Sequence, residues 1–183
     1  CFDNEEVGSN TKQGAMSTFL KDVLHRINNG LHKTEEEYYQ AIAKTFLVSC
    51  DNAHALHPNH PEKTDAVNYV TMNGGIVIKE SANQKYTTDA FSRALFTGVC
   101  QNVNVPVQSF ANRSDSVGGS TLGNLSNTQV SIHAVDFGLA QLAMHSCFET
   151  AGVKDTEYAI IALKEFYETN VQIDEAESVC LEK

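Results

Sequence analysis

The strongest constraint on the fold is a set of short apolar runs separated by segments of helical period. Phe46-Leu47-Val48-Ser49-Cys50, Gly75-Ile76-Val77-Ile78-Lys79, Val105 to Phe110 and Val130 to Val135 read as buried strands. Between them, Met16, Phe19, Leu20, Val23, Leu24 and Ile27 recur on one helical face, and Asn28-Asn29-Gly30 ends that helix. Thr34 with Glu37 three residues on is a capping-box start for a second helix through about Phe46. Thr88 to Val103 predicts a helix with Phe91, Leu95, Phe96 and Val99 inward. Ser116 to Gly123 is a Gly/Ser/Thr turn opening a short helix, and Tyr158 to Tyr167 belongs to a long amphipathic one. Asn52 to Pro61 reads as loop, and the acidic tail after Asn170 is expected to fray. Strands alternating with helices predict an α/β domain, a mixed sheet covered by helices on both faces.

With 183 residues the chain suits one compact domain. Its net charge of −10 argues against a nucleic-acid partner, because phosphate binding relies on clustered Lys and Arg. No run approaches the ~18 apolar residues that cross a bilayer, and no basic-then-apolar leader opens the sequence, so no membrane partner is expected. The chain does not begin with Met, which suggests a piece of a longer protein. Five cysteines, Cys1, Cys50, Cys100, Cys147 and Cys180, lie far apart with no CxxC pair. That spacing predicts reduced thiols and a cytoplasmic location, not a disulfide framework or a zinc finger.

Three places supply groups suited to metal-assisted hydrolysis: Glu5-Glu6, Asp51 at the end of a strand, and His145. Active sites of α/β sheets lie at the carboxyl ends of strands, which suits Asp51. Each group also has a plain structural reading. A Glu-Glu pair is commonly a solvated surface, Asp51 could be a helix cap, and His145 could be a hydrogen-bonded core residue. Spacing alone leaves these alternatives open. No Lys follows Gly118-Gly119, which excludes a P-loop, and no G-x-S-x-G elbow is present.

Five flanking motifs occur in one order: FDNEEVGS from Phe2, SCDNAHALHPNHP from Ser49, GGIVIKESANQKY from Gly74, NRSDSVGGSTLGN from Asn112 and QLAMHS from Gln141. Together they resemble the aspartyl aminopeptidases, a family of co-catalytic zinc aminopeptidases, over the C-terminal part of its catalytic domain. The resemblance implies that Glu5 is the general base toward a metal-bridging water. It implies that Glu6 and His145 bind one zinc and Asp51 the other, with Mn or Co as possible substitutes. Lys79 would face the acidic side chain of a peptide's N-terminal Asp or Glu, unless it is simply an exposed Lys after an edge strand. Gly119, Ser120 and Thr121 would bind substrate backbone. The His54-x-x-His57 loop is given a supporting or oligomer-contact role, since Asp51 already fills the carboxylate position.

Family members carry a further metal-binding His, an Asp bridging both zincs and an oligomerisation insert ahead of the Glu-Glu motif, and assemble as homo-oligomers. Residues 1–183 are therefore expected to form the C-terminal portion of the catalytic domain with only part of the dinuclear site. Such a chain alone would bind zinc weakly and hydrolyse peptides poorly. The alternative is a truncated, non-catalytic relative acting in assembly. An esterase built on Ser120 lacks a His partner.

Overall fold

The computed structural model describes residues 2–175 and 178–182. Cys1 and the tail positions 176, 177 and 183 lie outside the described residues. The elements run α1 (Phe19–Gly30), α2 (Glu35–Ala43), β1 (Phe46–Cys50), β2 (Ala53–His54), β3 (Ile76–Lys79), α3 (Ala90–Asn102), β4 (Val107–Phe110), α4 (Leu122–Asn127), β5 (His133–Gly138), β6 (Ala140–Leu142), β7 (Thr150–Ala151), α5 (Val153–Glu168), β8 (Asn170–Glu175) and β9 (Ser178–Glu182). The capping box of α2 forms as its sequence predicts. Glu37 N–H donates to Thr34 Oγ1 at 3.2 Å, and Thr34 N–H donates to Glu37 Oε2 at 2.8 Å. Helix α3 uses the same device, with Asp89 accepting from Ser92 N–H at 2.7 Å.

Four strands form the main sheet in the order β1-β5-β3-β4. The pairs β1/β5 and β3/β4 are parallel while β3/β5 is antiparallel, so the sheet is mixed. Strand alternation splits its side chains between two faces. Ile76, Ile78, Val135 and Phe137 join Leu95, Phe96 and Val99 of α3 and Ala162 of α5 in one apolar core. Each large apolar side chain buried this way contributes roughly 1.5–3 kcal/mol. The alternate positions Ser49, Lys79 and Asp136 face the other side, where α4 packs, together with Val77, which joins a smaller apolar cluster with Ala53, Val70 and Tyr86. Helices therefore cover both faces, but the α4 face carries buried polar groups.

Several boundaries differ from the sequence reading. Helix α2 stops at Ala43, short of Phe46, because β1 takes the apolar run for the sheet. Strand β4 begins after Pro106, whose missing N–H cannot join a ladder. Strand β5 lies at His133–Gly138 instead of 130–135, and α5 starts at Val153, where buried Asp155 sits in its first turn. The loop after Asp51 holds β2, which pairs in parallel with β6. The expected frayed tail is instead a hairpin, with Val171 opposite Leu181 and Ile173 opposite Val179. Val171, Val179 and Leu181 pack on the main core. Period-two alternation sends the apolar residues inward, and that outweighs the acidic composition. Among the described residues no helix is long and apolar enough to cross a membrane.

Candidate active site

Strand β1 delivers Asp51 one residue beyond its end, and the Asp51 N–H still bonds Phe137 O of β5 at 2.9 Å. Lys79 closes β3, an interior strand, and its side chain is only 2% exposed. The reading of Lys79 as an exposed residue after an edge strand therefore fails. Its ammonium donates to Asp51 Oδ2 and to Asn52 O, both at 3.1 Å, and lies 5.0 Å from the Tyr86 ring centroid. A buried cation thus has a carboxylate, a carbonyl and an aromatic face around it.

The Glu5-Glu6 turn is closed by local bonds: Gly8 N–H to Asn4 O at 2.9 Å, and the Thr11 hydroxyl to Gly8 O at 2.9 Å. The turn sends Glu6 to His145, with Oε2 and Nε2 3.1 Å apart, both side chains open to solvent. Glu5 is half-buried, and its carboxyl is held above the ordinary carboxylate value. Burial is the main cause, followed by the Asp51 and Glu6 carboxylates, while His145 and Lys79 act in the opposite direction. On the cleft wall, His54 is pushed below the usual imidazole value by desolvation first, then by His145 and Lys79.

His145 reaches the site on strained backbone. Its φ is +66°, and Ala143, two residues before, has φ +57°, a region that side-chain-bearing residues rarely adopt. The turn is secured by His145 N–H to Glu149 Oε1 at 2.6 Å and Ser146 N–H to Ala143 O at 3.0 Å. Strain of this kind persists where the surroundings over-determine it, and it clusters at functional sites.

All eight residues singled out from the sequence line one cleft of about 260 Å³: Glu5, Glu6, Asp51, Lys79, Gly119, Ser120, Thr121 and His145. His54, given a supporting or oligomer-contact role from the sequence, lines it too, as do Asn52, Tyr86, Phe110 and Met144, which sequence reasoning missed as wall residues. Tyr86 ends the GGIVIKESANQKY motif, which was the available signal. His57 does not reach this cleft. It lines a neighbouring cavity with Arg113.

The model of the family described as "Aminopeptidase I zinc metalloprotease (M18)" matches residues 1–167. The chain belongs to the M18 aminopeptidase family. It is 50% identical over 167 residues to the probable M18 family aminopeptidase 2 of Clostridium novyi, covering 91% of this chain and 39% of that protein. It is 42% identical over 174 residues to aspartyl aminopeptidase 1 of Schizosaccharomyces pombe, covering 95% of this chain and 37% of that one. Among solved structures it resembles a chain of the Ape4–Nbr1 complex, with TM-score 0.86 and 43% identity over 91% of this M18 chain and 32% of that one. It also resembles the mApe1 dodecamer of S. cerevisiae, with TM-score 0.77 and 28% identity over 91% of this chain and 36% of the other. The M18 chain thus spans less than two fifths of the length of these relatives.

The M18 donor set fits zinc in chemistry and falls short in number. Glu6 and His145 form a carboxylate–imidazole pair of the type zinc accepts, and Asp51 adds a second carboxylate already bonded to Lys79. Among the described residues no three His, Cys, Asp or Glu side chains converge on one point. A catalytic zinc normally takes three protein ligands.

Proposed function

We propose that this chain supplies part of the active site of a zinc-dependent M18 aminopeptidase that releases N-terminal residues from peptides, with preference for Asp or Glu. The observation that carries the reading is the convergence of Glu5, the Glu6–His145 pair and the Asp51–Lys79 pair on one cleft from four separate segments. Glu6 and His145 would hold one zinc and Asp51 a second, and the other ligands would come from elsewhere in the complete protein. Mn or Co would suit the same N/O donors. When bound, the metal polarises the substrate carbonyl and acidifies water.

Glu5 is the proton carrier. Its raised carboxyl can take a proton within the cleft and return it to the leaving amine. The Lys79 ammonium has three N–H donors and spends two on Asp51 and Asn52, which leaves one for an acidic substrate side chain. The Gly119, Ser120 and Thr121 turn on the opposite wall would meet substrate backbone. Residues 1–183 would be the C-terminal portion of the catalytic domain, and the dodecameric relative supports homo-oligomer assembly. Widely spaced cysteines support a cytoplasmic location. One observation favours the assembly-only alternative: α1 leaves Phe19 58% and Ile27 53% exposed, an apolar face suited to a partner surface.

The test replaces the matching segment of the Clostridium novyi relative with residues 1–167 of this chain, the span of the family match. The hybrid is expected to hydrolyse aminoacyl substrates, and Glu5→Gln to lower kcat by at least about 100-fold with zinc content unchanged. An active hybrid indifferent to Glu5→Gln removes Glu5 from the base role. An inactive hybrid that folds and loads zinc favours assembly.

A further inference from the structure

Asp136 lies in β5, fully buried on the polar side of the sheet beneath the cleft. Its Oδ2 accepts two bonds, from Thr87 N–H at 2.6 Å and from the Thr121 hydroxyl at 2.8 Å. Its own N–H donates to Thr88 Oγ1 at 2.9 Å. Its Oδ1 has no hydrogen-bond partner among the described residues. A buried carboxylate with an idle oxygen is costly, and the two donors on Oδ2 are what offset that cost.

The two donors belong to the two walls of the cleft. Thr87 follows Tyr86, and Thr121 ends the Gly119–Thr121 turn, all of which line the cleft except Thr87 itself. Further bonds join the same walls: Lys85 Nζ to Gly118 O at 2.6 Å and Thr121 N–H to Lys85 O at 3.3 Å. Helix α4 then closes over Asp136. A Cβ on Gly123 would lie 2.8 Å from Ser49 Cβ and 3.0 Å from Asp136 Oδ1, so only glycine lets the first turn of α4 approach this near. One carboxylate oxygen is thus the point at which both walls are tied to the sheet.

We propose that Asp136 is a positioning residue, whose Oδ2 clasps Thr87 and Thr121 and so sets the spacing between Tyr86 and the Gly119–Thr121 turn that receives substrate backbone. The proposal rests on the aminopeptidase reading for its substrate role and on the bonds above for the clasp. It acts through these two threonines and touches no reacting atom.

Amide hydrogen exchange on the full 183-residue chain tests the clasp without needing activity. Thr121→Val, which deletes one donor and keeps the shape, is expected to speed exchange at positions 87, 121 and 123 by about tenfold, the scale of one charge-assisted hydrogen bond. Amides of α3 are expected to change by less than about twofold, and Thr121→Ser to restore protection. Asp136→Ala is expected to lose protection at the same positions, and Asp136→Asn, which keeps one acceptor oxygen, to recover most of it. Thr121→Val carries the test if Asp136→Ala does not fold. No change at these positions, or an equal rise throughout α3, overturns the clasp.

In the Clostridium novyi hybrid, Thr121→Val is expected to raise KM about tenfold with kcat within about threefold, and Thr121→Ser to reverse it. A preserved KM beside accelerated exchange overturns the substrate role and leaves a local tie. A hybrid inactive before any substitution sinks the aminopeptidase reading and the substrate role with it, and the exchange result then separately decides the clasp.

Discussion

The Asp51–Lys79 pair is asymmetric, and the asymmetry makes a sharp prediction. Lys79 is 2% exposed whereas the Asp51 side chain is 33% exposed. Removing Asp51 leaves a buried ammonium with the Asn52 carbonyl and the Tyr86 ring as its close partners and the Glu5 carboxyl further off. Breaking a buried pair from this side costs about 3–5 kcal/mol, and the two remaining partners place Asp51→Ala at the low end, about 3 kcal/mol. Lys79→Met leaves a partly solvated carboxylate, removes the desolvation cost of the ammonium and keeps an apolar stem in the same buried space. Its expected effect is within about 1 kcal/mol of zero. Urea unfolding of the chain in the presence of a chelator measures both. With a slope of roughly 2 kcal/mol/M, Asp51→Ala lowers the midpoint by about 1.5 M and Lys79→Met by less than about 0.5 M. The double variant Asp51→Ala/Lys79→Met is expected to be more stable than Asp51→Ala alone, because the stranded cation is gone. Equal losses from the two single variants, or a larger loss from Lys79→Met, would refute the account of a buried cation held by a solvated anion.

Asp155 is fully buried and accepts from Asn73 N–H at 2.6 Å and Gly75 N–H at 2.9 Å, pinning the entry to β3. Asp155→Ala orphans both amides and is expected to cost about 3 kcal/mol, read in a thermal melt as a Tm lower by roughly 6–10 °C. Glu37 is held at about 2, below its ordinary 4.5, first by the Thr34 backbone N–H and then by Lys33 and the Thr34 hydroxyl. The depressed folded value means its support of α2 is full above pH 4.5 and is lost as pH falls through about 2. Carboxyl NMR titration checks this, and Thr34→Ala is expected to move the Glu37 midpoint upward and to fray α2 at neutral pH.

Local chemistry was the legible part of the sequence. The Thr34/Glu37 box, the inward face of α3 and the strand ending at Asp51 depend on neighbours a few residues away, so pattern and spacing exposed them. The β8–β9 hairpin was also written locally, as Val171, Ile173, Val179 and Leu181 in period-two alternation. It was hidden because acidic residues clustered around the apolar ones, Asp174, Glu175, Glu177 and Glu182, give the segment the composition of a solvated tail. The assignment of Glu5, Glu6, Asp51 and His145 to one cleft came from the family resemblance and not from spacing, which had left surface, cap and core readings open.

What stayed illegible depends on contacts across long stretches of chain. Lys79 meets Asp51 across 28 residues, and Asp136 meets Thr87 across 49. Neither sequence position announces a partner, because strand order β1-β5-β3-β4 brings these side chains to one face and nothing local encodes that order. Ile76, Ile78, Val135 and Phe137 of β3 and β5 enter the main core, and strand alternation leaves Lys79 and Asp136 on the opposite side, where Val77 joins a smaller apolar cluster. A charged residue inside an apolar strand is thus a readable sign that its sheet face holds buried polar groups beside its apolar ones. Lys79 among Ile76, Val77 and Ile78, and Asp136 between Val135 and Phe137, both meet that criterion, and both lie at the cleft or directly beneath it. The cost of burying each charge is offset by the groups it holds in place, Asp51 and the Asn52 carbonyl for Lys79, and Thr87 and Thr121 for Asp136, so buried strand positions of the sheet fix loop residues at the cleft.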